Sequence, residues 1–209
     1  MSKLKINTED YRIVRTNYSG LETDKKQILV GNTNRPFNDF MQQLKTRRMG
    51  TYNKSPHFTI KKNGDVIQHF ETEFFSYYLG FSNEADKSII SIALENVGWL
   101  KKNLTTKNFY DWTGKEYSDE EINYSEFLWK DKLYWENYTE EQKTSLKELI
   151  KFLCKKHNID ERYVGHNSQL MDPMAHSGII SKCNYFDELT EVNPTLELKK
   201  STRRIFRKS

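Results

Sequence analysis

Apolar residues near the start of the chain fall in two segments with different spacing. Residues 28–30 are continuously apolar and end at the polar turn 31–34, which predicts a short buried strand. Pro36 suits the first turn of a helix. The apolar residues that follow have the i, i+3, i+4, i+7 spacing of an amphipathic helix: Phe37, Phe40, Met41 and Leu44. A strand followed closely by such a helix is typical of α/β folds.

The middle of the chain predicts a hairpin and a further strand. Residues 57–60 and 66–70 flank Asn63-Gly64, and Asn-Gly between two such runs predicts a tight β-turn. Residues 88–94 are apolar and β-branched enough for a central strand.

The last third predicts a helix and one more strand. Thr139 and Gln142 have the spacing of a capping box, and an apolar stripe follows at Leu146, Leu149, Ile150 and Leu153. Residues 163–166 predict a short strand that leads into a long loop. Together these elements predict an α/β fold with a central mixed β-sheet flanked by helices.

Composition and length set the domain boundaries. The chain has 209 residues and only 36% hydrophobic residues, but its 12 Tyr, 12 Phe and 4 Trp supply apolar area for one core. We predict an N-terminal extension (1–25), one domain (26–197) and a basic tail (198–209). Within the domain, residues 108–138 are expected to form an irregular aromatic insertion, which supplies either core side chains or a surface on which sugar rings stack.

Charge and cysteine content narrow the function classes. The net charge is +4, with basic residues concentrated in the tail, which suits a solvated terminus or a contact with a polyanion such as nucleic acid. Cys154 and Cys183 do not form a disulfide framework. No apolar run reaches the roughly 20 residues of a membrane span, and the first residues lack an apolar signal core. We therefore expect synthesis in a cytoplasm without membrane insertion.

Several segments, in this order, resemble the zinc N-acetylmuramoyl-L-alanine amidases, a family that includes phage lysozyme-type amidases and peptidoglycan recognition proteins. Phage-encoded members are the most similar. The segments that carry the resemblance are the strand 28–30, the hairpin 55–68, the strand 88–96, Gly165-His166-Asn167 and the segment 190–194.

The resemblance implies a particular chemistry. Family members hold zinc through two His and one Cys or Asp, and the fourth position is left for water. The metal lowers the pKa of this water and polarises the amide carbonyl. A Glu or Tyr carries the proton, and a Lys often stabilises the oxyanion.

The metal ligands that the resemblance implies are incomplete in this chain. The first His of the family falls at Gly31, which has no side chain. His166 matches the second His, and either Glu191 or Cys183 supplies the third ligand. A different zinc site made by His57, His69 and His166 is a further alternative.

The catalytic residues that the resemblance implies are also altered. The family's proton-carrying Glu falls at Ala93, and Glu95 lies one strand step further along the same predicted face. Lys182 is the candidate oxyanion cation. The resemblance places Asn32, His57 and Asn167 around the substrate.

These residues lead to one hypothesis and two alternatives. We expect a peptidoglycan-related protein with impaired catalysis, with zinc absent or weakly bound, that binds muropeptide at the cell wall or serves as a phage structural module. The first alternative is an active, endolysin-like zinc amidase with a shifted ligand set. The second is a non-enzymatic interaction protein that contacts nucleic acid or another protein, for example a phage structural protein.

Overall fold

The computed structural model describes residues 4–165, 170–190, 192, 196 and 198. The helices are α1 (Phe37–Thr46), α2 (Asn83–Ser88) and α3 (Glu140–His157). The strands are β1 (Ile6–Asn7), β2 (Gln27–Asn32), β3 (Phe58–Ile60), β4 (Val66–Gln68), β5 (Ile89–Leu94), β6 (Trp99–Lys102), β7 (Phe109–Tyr110), β8 (Glu116–Tyr117), β9 (Ile122–Trp129), β10 (Lys132–Glu136) and β11 (Gly178–Ser181).

A six-stranded mixed sheet with the order β1-β4-β3-β5-β2-β11 forms the centre of the molecule. Neighbouring strands run parallel except β3 and β4, which form the antiparallel hairpin predicted around Asn63-Gly64. Gly64 has φ 85°, a left-handed conformation that glycine adopts without strain. The predicted strands at 28–30 and 88–94 are confirmed as the adjacent strands β2 and β5, in which Gly31 pairs with Ala93.

One face of this sheet is covered by α3. Side chains of alternate residues in β2 and β5, including Ile28, Val30 and Ile92, form a core with the apolar stripe of the helix. The capping box is present, since Thr139 Oγ1 accepts from Gln142 N at 3.1 Å. The predicted helix is therefore confirmed, and the capping box fixes its first turn against the sheet.

The opposite face is covered by α1, α2 and the segment before α2. Alternation sends Leu29 and Ala93 to this side, where they pack with Tyr78, Leu79 and Ile180. The predicted apolar residues of α1 pack here against Ile67. Helices on both faces of a mixed sheet make this the predicted α/β fold.

Residues 99–136 form a second sheet, with the order β8-β7-β6-β10-β9 and antiparallel neighbours. The prediction of an irregular insertion at 108–138 is therefore wrong in its secondary structure. Trp135 is fully buried, and the Glu136 carboxylate accepts from Val97 N at 2.6 Å and pairs with Lys62. These contacts attach the second sheet firmly to the main body.

Segments at the two ends of the chain also take part in the fold. The segment predicted as an extension contributes β1, which pairs with β4 at the edge of the central sheet. Tyr163 forms an isolated parallel bridge to Ile179. Val192, Leu196 and Leu198 pack in the core beneath α3, and the remainder of the basic tail lies outside the described residues. Within those residues, none of the helices has the length and apolar character needed to cross a bilayer.

Candidate functional site

A cleft of about 460 Å³ opens at the carboxyl end of β2. Ligands of open α/β sheets commonly bind at this end of the strands, where successive loops diverge. Asn32 and Thr33 enter the cleft directly from β2, and Lys182 enters from the turn after β11. A larger groove of about 770 Å³ lies between β1, the β3–β4 turn and the start of α3. We place the candidate site in the smaller cleft because the predicted site residues Asn32 and Lys182 both line it.

The lining of the cleft is strongly cationic. Arg35, Arg47, Lys54 and Lys182 line it, whereas Glu188 is the one acidic residue among the described lining residues. Two of the cations lie against tyrosine rings. Lys182 Nζ is 4.1 Å from the centroid of the Tyr78 ring, and the Arg47 guanidinium carbon is 4.5 Å from that of Tyr52. These cation–π contacts hold positive charge at the cleft wall, where it favours an anionic ligand.

The β2 and β5 ends beside the cleft carry no chemically active side chain on the Leu29 face. Gly31 and Ala93 are directly paired across the two strands and both are buried. Ala93 packs in the same cluster as Tyr78, which also lines the cleft. A hydrogen atom and a methyl group therefore occupy these two positions.

The comparison with known families assigns the chain to one of them. A family model described as N-acetylmuramoyl-L-alanine amidase matches residues 23–177, most of the chain. The chain belongs to the N-acetylmuramoyl-L-alanine amidase family. It is a peptidoglycan-related member, and the matched region includes β2, the second sheet and α3.

Solved amidases share the fold. The chain is similar to the N-acetylmuramoyl-L-alanine amidase LysC from Clostridium intestinale URNW, with 16% identity and a TM-score of 0.50. That match covers 87% of this chain and 84% of LysC. It is also similar to a mutant endolysin from Bacillus subtilis, with 17% identity, a TM-score of 0.51, and 89% and 88% of the two chains covered. A search of curated protein sequences found no match.

Glu95, the predicted substitute proton carrier of this amidase-family protein, makes structural contacts. Its Oε1 accepts from the backbone N–H of Phe37 at 2.8 Å, and its Oε2 accepts from that of Lys62 at 2.9 Å. The carboxylate therefore joins the first residue of α1 to the β3–β4 turn. Both carboxylate oxygens have a backbone partner, and Glu95 does not line the cleft.

Lys182 and Cys183 are neighbours in sequence but occupy different environments. Lys182 lines the cleft, where the resemblance expects an oxyanion cation. Cys183 is buried, and its Sγ is 2.8 Å from Ser181 Oγ. The catalytic role of Lys182 and the ligand role of Cys183 stay predictions. The position of Lys182 in the cleft favours its predicted role, whereas the burial of Cys183 does not favour a role as metal ligand.

The predicted substrate residues Asn32 and His57 are also at different depths. Asn32 lines the cleft, although its Oδ1 accepts from Tyr138 Oη at 2.8 Å. His57 is buried, with Nδ1 accepting from Ser91 N at 3.0 Å and Nε2 lying 3.1 Å from the carbonyl oxygen of Phe74. Burial lowers the pKa of His57 well below its usual value, which keeps the ring neutral.

His69, part of the alternative zinc site, is similarly occupied. Its Nε2 is 2.8 Å from Thr59 Oγ1 and its Nδ1 is 2.9 Å from the carbonyl oxygen of Tyr11. Burial lowers its pKa from 6.5 to about 4. Both ring nitrogens of each histidine thus have protein partners, an arrangement typical of core histidines.

The remaining predicted site residues, His166, Asn167 and Glu191, lie outside the described residues. Within the described residues, no group of three His, Cys, Asp or Glu side chains is arranged to hold a metal ion. The described lining of the cleft contains no His, Cys or Asp, and it therefore does not fit the zinc site that the resemblance implies, whose first ligand the resemblance expects at Gly31.

Sequence analysis missed most of the cleft lining. Arg35, Arg47 and Lys54 come from separate loops whose proximity depends on the tertiary fold. The loop that carries Tyr78 is held by the buried carboxylate of Asp86, which accepts from Leu79 N and Gly80 N. Burial raises the pKa of Asp86, although these backbone bonds oppose the shift. An acidic residue in a short helix gives no sequence signal for this role.

Proposed function

We propose that this amidase-family protein binds the peptide stem of peptidoglycan in its cationic cleft. It hydrolyses the amide bond that joins this peptide to muramic acid poorly or not at all. The observation that carries the proposal is the buried pair of Gly31 and Ala93 at the carboxyl ends of β2 and β5. These are the positions at which the family resemblance expects a zinc ligand and a proton carrier.

The cleft chemistry supports binding. A stem peptide attached to muramic acid through its amino end finishes in a carboxylate, and Arg and Lys bind carboxylates through charge-assisted hydrogen bonds. The four cationic side chains that line the cleft outnumber its one described acid. An anionic peptide is therefore the ligand that this charge distribution favours.

The same positions argue against efficient hydrolysis. Catalytic zinc sites use three protein ligands together with a water molecule. Without a donor at Gly31, at most two members of the family's ligand set remain, and affinity for zinc falls. General acid–base catalysis contributes roughly 10²- to 10⁴-fold to such reactions, and Ala93 cannot provide it. The protein would retain ligand recognition and lose most of its turnover.

Calorimetric titration with a soluble muropeptide, combined with a zinc-supplemented hydrolysis assay, tests the proposal. We expect binding without measurable peptide release. Lys182→Ala should weaken binding about tenfold, which corresponds to the roughly 1.5 kcal/mol of one charged hydrogen bond. Lys155→Ala is the matched control, since it removes the same charge from an exposed position on α3.

Two results would overturn this proposal. Rapid zinc-dependent peptide release by the wild-type protein would refute impairment. Such activity, with one zinc per chain that is lost in His166→Ala, would favour the active amidase with a shifted ligand set. Absence of muropeptide binding would refute recognition.

We place the action of the protein at the cell wall or in a phage particle that meets the wall. Co-sedimentation with purified peptidoglycan after removal of residues 199–209 separates this role from polyanion binding by the basic tail. Retained sedimentation supports the cleft as the binding site. Loss of sedimentation, together with salt-sensitive nucleic-acid binding by the full chain, contradicts it.

A further inference from the structure

Trp112 is an exposed aromatic side chain at the rim of the cleft. It belongs to the turn between β7 and β8 in the second sheet, and 56% of its surface is exposed. Its indole Nε1 donates to the carbonyl oxygen of Asn34 at 2.9 Å, and the Arg35 guanidinium carbon is 5.3 Å from its ring centroid. Asn34 and Arg35 both line the cleft. Two contacts therefore connect this ring directly to the wall of the candidate site.

The turn beneath Trp112 is well ordered by hydrogen bonds. Asp111 Oδ1 accepts from the backbone N–H of Thr113 at 2.8 Å and from that of Lys115 at 3.0 Å. Its Oδ2 accepts from Tyr117 Oη at 3.2 Å. The ring is thus presented to solvent by a fixed support, which lowers the entropy lost when a ligand stacks on it.

Trp112 and Trp135 both belong to the second sheet but differ in burial. Trp135 is fully buried and supplies core, as the simpler interpretation of the aromatic segment expects. Trp112 contributes little to that core, although its apolar surface is large. An exposed tryptophan fixed beside a binding cleft indicates a contact surface for a ligand with an apolar face.

We propose that Trp112 is a stacking platform for a sugar ring of the glycan strand, beside the cleft that holds the stem peptide. The inference rests on the proposed function, because the sugar joined to the stem must lie close to the peptide. A pyranose ring presents C–H groups on its face to the indole, while its hydroxyl and amide groups stay available to water and to Arg35. The second sheet thereby extends peptide recognition to the glycan.

The test compares two ligands, a muropeptide and the same stem peptide without its sugar, by calorimetric titration. The wild-type protein should bind the muropeptide more tightly than the peptide. Trp112→Ala should weaken muropeptide binding by roughly five- to tenfold, the range expected for one aromatic contact, and leave peptide binding unchanged. Phe127→Ala, at a position 79% exposed on β9, is the matched control and should change neither affinity.

A second variant guards against loss of structure. Trp112→Tyr retains an aromatic face without the indole N–H, and it should recover a large part of the preference for the muropeptide. Equal weakening of both ligands in Trp112→Ala would overturn the glycan platform while leaving peptide recognition intact. Equal affinity of the wild-type protein for the muropeptide and the peptide would also overturn the glycan platform and leave peptide recognition intact. Failure of the wild-type protein to bind either ligand would refute both proposals.

Discussion

At the scale of single residues, Glu95 shows how a chemically suggestive side chain is used by the fold. The sequence predicts it on the face of Ala93, because strand residues two apart point to the same side. Strand β5 ends at Leu94, so this alternation does not extend to Glu95. The carboxylate instead binds backbone N–H groups at Phe37 and Lys62. Phe37 and Lys62 are far from Glu95 in the sequence, so these hydrogen bonds cannot be predicted from the local sequence pattern.

Glu95→Gln should therefore lower the free energy of unfolding by about 1–2 kcal/mol, since one of the two charged hydrogen bonds is lost. Muropeptide affinity should stay within about twofold of wild type. Urea unfolding and calorimetric titration measure the two quantities. Glu161→Gln, at an exposed position, is the control. Unchanged stability with strongly reduced binding would place Glu95 in the binding site instead.

At the scale of secondary structure elements, helices with strong apolar periodicity can be predicted from the sequence, whereas very short strands cannot. The stripes of α1 and α3 have helical spacing over several turns, and both helices form with the predicted faces buried. Strands β7 and β8 have two residues each, too few for alternation to be detected. Their pairing depends on the turns between them and on the packing of Phe109 and Tyr117 in a small separate core.

The capping box of α3 offers a test at this scale. Thr139→Ala removes the side-chain acceptor for Gln142 N and should lower the free energy of unfolding by about 1 kcal/mol. Thr144→Ala, at an exposed position within the same helix, should be neutral or slightly stabilising because Ala has the higher helix propensity. Chemical denaturation compares the two variants. Similar values for both would show that the cap contributes little.

At the scale of the whole molecule, the candidate site combines predictable and unpredictable parts. The resemblance points to the strand end at Gly31 and to Lys182 as the candidate cation, and Lys182 lines the cleft. The electrostatic character of the cleft arises from Arg35, Arg47 and Lys54, which the fold gathers from separate loops. The sequence pattern predicts which faces of strands and helices are buried. The lining of a cleft depends instead on how loops from different parts of the chain come together.

Global stability should also decrease in acid. His69 has a pKa of about 4 in the folded protein and 6.5 as its ordinary value, so the unfolded chain binds more protons between these pH values. The free energy of unfolding therefore falls as the pH falls through this window. His69 alone contributes a loss of about 2 kcal/mol between pH 7 and pH 5. His57 acts in the same direction.

Urea unfolding at pH 7 and pH 5 measures this loss. His69→Gln removes one titrating group and should make the decrease with pH shallower, whatever its effect on stability at pH 7. An identical pH dependence in this variant and the wild type would contradict the assignment.

The position of β2 in the central sheet has a consequence for biosynthesis. β2 is made early, but its two neighbours are β5 and β11, and β11 comes from the last fifth of the chain. A nascent chain emerging from the ribosome therefore exposes one edge of an entirely buried strand until Gly178–Ser181 has been synthesised. Unpaired apolar edges favour association with other chains. Fragments that terminate before residue 178 should consequently require chaperones or accumulate as insoluble aggregates.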